Sequence, residues 1–371
     1  MNFTALKSKS FLLPTLLFAG YLAIMLPLLG TGERKYAPLW RILTQWDGQH
    51  YLSIAATGYE AFPCPDNPAW ICGNVGWFPL FPLAGRLVNF VVGPSGLDMR
   101  WSLLIAGFLA LYLALLLLYR LVAARFDHTV ALTSLGALLL FPTSFYFLTA
   151  FPYALYLLLA VSVFYLLERE KNWACALPAG LLAVTYPSGL VITLPLLWTL
   201  VSRWRSIPLH PRIALFWSVC AAGFALVLYG LYNQLRFDDF FLYVHFQSKP
   251  YYAHEATFPL IPIVDSIVNL TGAHPVRIML IFAAALLAIF YSRKLPASWQ
   301  IFMWAVLLFT PTAGTTDSYY RHIIVAFPLY VMIAANLASP KRRWLLPVYA
   351  VASLILLWAI YLTQYKTGFL I

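Results

Sequence analysis

Ten apolar segments, several of them short, dictate what this chain can fold into. They run over about 11–30, 101–122, 129–148, 151–167, 173–201, 213–232, 276–292, 298–313, 319–338 and 344–363. A run of this kind satisfies its backbone by turning helical and hides its side chains in lipid or against other helices. Only 10% of the residues are charged and 62% are hydrophobic, whereas a soluble domain carries about 25% charged residues. The reading is an all-α polytopic membrane protein, one integral-membrane domain over 1–371. Aromatic residues make up 17% of the chain and include 13 Trp, a supply that fits interfacial belts and a site that stacks on rings. The net charge of +11 does not call for nucleic acid. Its Lys and Arg fall in short clusters between apolar spans and do not interleave with aromatics.

Residues 1–30 have basic residues, Lys7 and Lys9, ahead of an apolar stretch. No small-residue cleavage signal stands out before Thr31, so an uncleaved first helix is expected rather than a signal peptide. Segment 173–201 is long and carries Tyr186-Pro187-Ser188-Gly189 at its centre. Proline removes a helical donor and glycine adds freedom, so a break is expected there. Two topologies follow. If 173–201 crosses once, the cluster Arg203/Arg205/Arg212 faces outward and the later loops invert. If it folds as two short helices meeting at Pro187, every basic cluster lies on one side, and Asp127, Glu168 and Glu170 are the only acids with them. The positive-inside rule favours the second arrangement, with eleven spans and an inside N-terminus.

That topology gathers the polar chemistry on the outer face. Its long outer loops are 31–100 and 233–275, with a short one at 314–320. They hold Asp47, His50, Glu60, Asp66, Asp98, Arg236, Asp238, Asp239, Lys249, His254, Glu255, Asp265 and Asp317, and Arg321 opens the next span.

The most informative stretch is Trp46-Asp47-Gly48-Gln49-His50-Tyr51. From there to Gly58, apolar and small residues at Tyr51, Ile54, Ala55 and Gly58 keep helical spacing, as in a short amphipathic helix lying in the interface. Asp47 and His50 are three residues apart and share one side of its first turn. Two roles are open for Asp47, a helix N-cap and a general base. Downstream, Gly76-Trp77-Phe78-Pro79-Leu80-Phe81-Pro82-Leu83 reads as a rigid apolar wedge in the outer leaflet, or as plain interfacial packing. Cys64 and Cys72 stand eight apart in the same loop; a disulfide in an oxidising compartment and two unpaired thiols both remain open.

These residues resemble a family. Trp46, Asp47, His50, Tyr51, Leu52, Ile54, Ala55, Gly58 and Tyr59, followed by Phe78, Pro79, Phe81 and Pro82, look like the signature of the GPI mannosyltransferase II (PIG-V type) family and its prokaryotic relatives. That family belongs to the GT-C class of polytopic glycosyltransferases. Phe141-Pro142-Thr143-Ser144-Phe145-Tyr146, Thr185-Tyr186-Pro187-Ser188-Gly189, and Ser318-Tyr319-Tyr320-Arg321-His322 with Ala326-Phe327-Pro328-Leu329 resemble further family segments in the same order. The chain departs from the pattern twice. Tyr186 replaces an Arg, and Phe151-Pro152-Tyr153-Ala154-Leu155 lacks the usual acid. The resemblance implies a GT-C-like fold of about 10–11 transmembrane helices, with a long first outer loop carrying short amphipathic helices.

The resemblance also implies inverting transfer of a sugar from a polyprenyl- or dolichyl-phosphate carrier to the hydroxyl of a glycolipid or glycan acceptor. Mannose is the expected sugar. The first-loop acid maps to Asp47 as general base, with His50 beside it. A leaving lipid phosphate needs positive charge; Arg321 is the leading candidate, with Tyr320 and His322 flanking it and Arg41 and Lys249 behind. Trp46, Tyr51, Trp77, Phe78 and Tyr186 are candidate contacts to lipid or substrate. Lys249-Pro250-Tyr251-Tyr252 is a candidate cover over the site. No cofactor is expected and no divalent metal is demanded, because no His/Cys/Asp spacing fits a cage. The expected setting is the plasma membrane of a prokaryote, or the endoplasmic reticulum of a eukaryote, with the site outside the cytoplasm. A lipid-linked glycan flippase and a catalytically inactive scaffold of the same fold are the alternatives.

Overall fold

A computed structural model describes residues 3–31, 38–249, 254–268, 275–316 and 318–362. Asp317 and the 250–252 part of the candidate cover lie outside the described residues. Apart from one short hairpin and the connecting turns and loops, the described residues are helical. Helix α1 (Phe3–Thr31) leads into the first polar loop, which holds α2 (Leu39–Leu43), α3 (Asp47–Thr57), the antiparallel strands β1 (Ala61–Pro63) and β2 (Ile71–Gly73), and α4 (Leu80–Val92). The bundle continues through α5 (Met99–Arg125), α6 (His128–Leu139), α7 (Tyr153–Glu168), α8 (Ala176–Ala183), α9 (Thr193–Ser202) and α10 (Leu209–Phe237). Then follow α11 (Leu242–Gln247), α12 (Leu260–Val268), α13 (Pro275–Tyr291), α14 (Ala297–Phe309), α15 (Tyr319–His322), α16 (Phe327–Leu337) and α17 (Leu345–Ile360).

Three of these helices are long and apolar enough to cross a membrane alone: Ser10–Gly30, Met99–Arg125 and Leu209–Phe237. A further pair, Tyr319–Val325 and Phe327–Leu337, is together long and apolar enough but bent by 75°, as in a broken span or a re-entrant loop. The other apolar segments expected from the sequence are present as shorter helices joined by 3-10 turns. Proline is the repeated cause, since it starts or interrupts the turns at Pro187, Pro311 and Pro328. Helix α5 lies at the centre, with Leu103, Leu111, Ala114, Leu115, Leu118 and Val122 fully buried.

Segment 173–201 breaks where the sequence places Pro187, and it doubles back. Its start touches the beginning of α10, where the Trp173 indole donates to His210 Nε2 at 3.0 Å and Ser218 Oγ donates to the Asn172 carbonyl. Its end returns to the same place, where the Arg212 guanidinium lies 5.3 Å from the Trp204 ring centroid. The apex, Val184 to Gly189, reaches the other end of the bundle, and the Leu80 amide donates to the Val184 carbonyl there. Gly189 permits the fold, since a Cβ at that position would overlap the Leu182 carbonyl. Both feet of this helical hairpin therefore sit at one end with the basic loops, as the two-helix topology requires.

The wedge reading needs correction. Trp77, Phe78 and Phe81 are buried. Trp77 packs on Phe246, and Phe78 on Tyr229 and Tyr243. The outward apolar face belongs to α4 itself, at Leu83, Leu87, Phe90 and Val91. Two prolines three apart start that helix and turn the aromatics inward.

Candidate active site

Asp47 stands at the first position of α3, and its Oδ2 lies 3.0 Å from Nη1 of Arg321 on α15. The aspartate does not cap its own helix. Trp46 holds the N-cap position, and no side chain caps the helix start. The Asp47 carboxylate is 28% exposed and the Arg321 side chain 13%. A guanidinium so far out of water needs compensation. It gets the carboxylate on one side and the Phe151 ring on the other, 5.2 Å from Cζ to centroid. Its Nε is sealed from solvent and has no hydrogen-bond partner; the nearby Tyr153 hydroxyl is buried in hydrogen-bond reach of the Tyr186 hydroxyl.

Helix α3 is pinned from several directions. Gly48, Tyr51, Ile54 and Ala55 form its buried face, the spacing legible in the sequence. Gly48 admits the close approach of Ala150, whose Cβ would lie 3.3 Å from a Cβ at 48. The Ala150 amide in turn donates to the Leu43 carbonyl at 2.7 Å. Arg86 of α4 caps the far end, Nε to the Ala55 carbonyl at 2.7 Å and Nη2 to the Ile54 carbonyl at 2.9 Å. Asn74 bonds Ser53 Oγ and the Gly58 carbonyl. Cys64 and Cys72 are joined as a disulfide across β1 and β2.

Arg321 is held by the residues around it. The Thr143 hydroxyl donates to the Tyr320 carbonyl at 2.8 Å. His322 is bracketed at both ring nitrogens, Nε2 2.5 Å from the Tyr186 hydroxyl and Nδ1 2.9 Å from Thr310 Oγ1. A neutral imidazole meets both by donating at one nitrogen and accepting at the other. Tyr153 packs beside this group, its ring 5.5 Å from Tyr186 and 6.2 Å from His322.

Several expected roles change. His50 does not bond Asp47. Its ring stacks on Trp77 with centroids 3.5 Å apart and planes 11° from parallel. Burial there pushes its imidazole below the ordinary value, with the Asp47 carboxylate opposing and the Lys249 ammonium adding to the shift. Tyr320 is 2% exposed, its ring 6.4 Å from that of Tyr146. His322 has both ring nitrogens engaged within the protein, by Tyr186 and Thr310. Arg41 is exposed on α2 and bonds neither Asp47 nor Arg321. The Lys249 ammonium donates to the Ile71 carbonyl at 2.8 Å and sits 3.6 Å over the Phe246 ring. Tyr51 is 2% exposed and packs edge-on against Phe81. Trp46 is half-buried at the site, and Tyr186 takes part through His322. Among the described residues no three His, Cys, Asp or Glu side chains come together as a metal-binding group.

Sequence reasoning missed Tyr153, Phe151 and Thr310. The signal was faint: Tyr153 was noted only as the place of a lost acid, and Thr310 lies inside an apolar run.

A helical multi-pass membrane bundle with a carboxylate and a guanidinium meeting at one end of it is a GT-C-like architecture. Comparison with known proteins agrees. The crystal structure of the Archaeoglobus fulgidus oligosaccharyltransferase in its apo form matches with a TM-score of 0.51, over 94% of this chain and 56% of that one, at 11% identity. A likeness at that identity speaks for the fold. In sequence, the chain is 28% identical over 251 residues to GPI alpha-1,6-mannosyltransferase 2 of Cricetulus griseus, an alignment covering 62% of this chain and 46% of that protein. The match thus spans about half the relative's length. No family model matches the chain.

Proposed function

We propose that this protein is an inverting glycosyltransferase that moves a hexose, mannose in the favoured case, from a polyprenyl- or dolichyl-phosphate donor to an acceptor hydroxyl outside the cytoplasm. The observation that carries the reading is the Asp47–Arg321 pair, 3.0 Å apart and largely withdrawn from water. It joins a base to an anion-binding group where a lipid headgroup would lie. The mannosyltransferase relative supports the sugar, and the likeness to the oligosaccharyltransferase supports the fold.

In this mechanism the acceptor oxygen attacks the anomeric carbon from the face opposite the phosphate. The bond between that carbon and the phosphate oxygen breaks, and its electron pair stays on the polyprenyl phosphate. The acceptor proton passes to the Asp47 carboxylate. A phosphate is already a good leaving group, so one carboxylate serves where glycosidases use two. Arg321 stabilises the charge that grows on the phosphate, with the Tyr153 hydroxyl as a second donor. His50, stacked on Trp77, shapes the acceptor side without taking a proton from it.

The test uses purified protein, radiolabelled polyprenyl-phosphate-mannose and an acceptor extract. Asp47→Asn and Asp47→Ala are expected to abolish transfer, and undiminished transfer by both variants rules out Asp47 as the base. Failure of the unaltered protein to transfer sugar from any polyprenyl phosphate rules out the enzyme itself.

A further inference from the structure

The guanidinium of Arg321 is used at one end and idle at the other. Nη1 meets Asp47, while Nε is buried without an acceptor. A buried donor left unmade is costly, and proteins keep such groups where a ligand completes them. The Tyr153 hydroxyl, also buried and in hydrogen-bond reach of the Tyr186 hydroxyl, lies in the same layer, its ring stacked on the Phe151 ring that underlies Arg321. The idle Nε sits beside a carboxylate that is already paired. A carboxylate oxygen held by a guanidinium is not open to an acceptor hydroxyl.

We propose that the Asp47–Arg321 pair is an exchangeable latch opened by the phosphate of the lipid carrier. The phosphate monoanion of a prenyl phosphodiester enters from the Asp47 side, which is the more exposed. It takes the guanidinium from Asp47 and engages Nε and the Tyr153 hydroxyl. Asp47 then loses its partner, and its carboxylate is free to meet the acceptor hydroxyl while the donor is in place. The consequence is ordered binding, donor before acceptor, with the Asp47 carboxylate occupied by Arg321 in the empty enzyme. His322 makes the exchange possible without collapse. Tied to Tyr186 and Thr310, it fixes the backbone of α15 while the Arg321 side chain changes partner. The inference rests on the glycosyltransferase reading for its ligand, and it adds the competition between Asp47 and phosphate.

Radiolabelled farnesyl phosphate, a short prenyl phosphate without a sugar, is the probe, and farnesol reports on the tail alone. Binding to protein in lipid nanodiscs is measured for the unaltered chain, Asp47→Asn, Asp47→Ser and Arg321→Ala. Removing the competing carboxylate is expected to tighten farnesyl phosphate binding by about tenfold in either Asp47 variant, and Arg321→Ala is expected to abolish the preference over farnesol. A second measurement needs no variant. Carbodiimide modification of Asp47, followed by mass spectrometry, is expected to accelerate with farnesyl phosphate and not with farnesol. Equal or weaker binding by folded Asp47 variants, or unchanged or slower modification, overturns the latch while leaving the transferase reading in place. If the unaltered protein binds farnesyl phosphate no better than farnesol, the transferase reading itself fails.

Discussion

Two short helices deliver the two charges, and they are secured in opposite ways. Helix α3 carries Asp47 on eleven residues, clamped at its far end by Arg86 and along its side by Asn74 and Ala150. Helix α15 carries Arg321 on four residues and runs directly into a 75° bend. It has no clamp of comparable length, and its position depends on single side chains, Thr143 on Tyr320 and the Tyr186/Thr310 bracket on His322. Asp47 is thus placed by backbone anchorage, and Arg321 by a small polar network. Backbone anchorage survives the loss of one contact; a network of three or four buried bonds does not.

The largest expected effect comes from the charge on the weakly anchored side. Arg321→Lys keeps a cation but loses the fork that meets a carboxylate at one end and a second anion at the other. Transfer rate is expected to fall by about 100-fold, chiefly in kcat. A loss confined to KM would show that Arg321 binds substrate without acting on the leaving group.

Next comes Tyr186→Phe, which leaves one nitrogen of a buried imidazole without a partner. That costs about 1–3 kcal/mol, felt locally at α15, and a fall in transfer of about tenfold is expected. Its counterpart on the other helix is Arg86→Met, which uncaps the α3 carbonyls at Ile54 and Ala55. Because Asn74 and the buried face still hold α3, the expected result is about 1 kcal/mol lost in thermal unfolding with transfer changed by less than about threefold. If Arg86→Met lowers transfer as much as Tyr186→Phe does, the contrast between the two helices is wrong.

His50 tests the comparison by pH. Its imidazole is held below the ordinary value by burial on Trp77. The folded protein therefore takes up fewer protons than the unfolded chain once pH falls below the ordinary imidazole value of about 6.5. Stability is retained above that point and lost as pH falls through it. His50→Gln is expected to flatten this loss below about pH 6.5, read from melting temperature across buffers. An unaltered acid limb in the variant would place the titrating group elsewhere.

How much of this was legible in the sequence follows the same division. Helix α3, its buried face and its charged first turn could be read from the spacing of Tyr51, Ile54 and Ala55, because helical periodicity is a local signal. The break at Pro187 was visible for the same reason. The partner of Asp47 was not. The i, i+3 rule pointed to His50, yet Trp77, brought in from the next segment, offers that ring a flat face and takes it away from the carboxylate. Arg321 was singled out for its cost at the mouth of a span, but its contact with Asp47 is tertiary and leaves no trace in local spacing. Tyr153 and Thr310 were still harder to see, since a Tyr or Thr inside an apolar helix reads as packing until its neighbours are known.

The smallest expected effect concerns how the two helices begin. Both start from a non-glycine residue with positive φ, Trp46 at φ 60° and ψ −135°, and Ser318 at φ 59° and ψ 5°. Ser318 lies in the left-handed helical region, which costs an L-residue about 1–2 kcal/mol. Its replacement by Gly recovers that strain but frees the unfolded chain, so Ser318→Gly is expected to stabilise by less than about 1 kcal/mol. Trp46 sits further from any region an L-residue favours, at a cost of about 1–3 kcal/mol. Its half-buried ring, packed against the core, is worth a similar amount. Trp46→Gly is therefore expected to leave thermal stability nearly unchanged or lower, while Ser318→Gly raises it. The sign of that difference distinguishes the two starts. At α3 the strain is bound up with packing that aims Asp47, whereas at α15 it is a local price of turning the chain, so removing it should leave transfer intact.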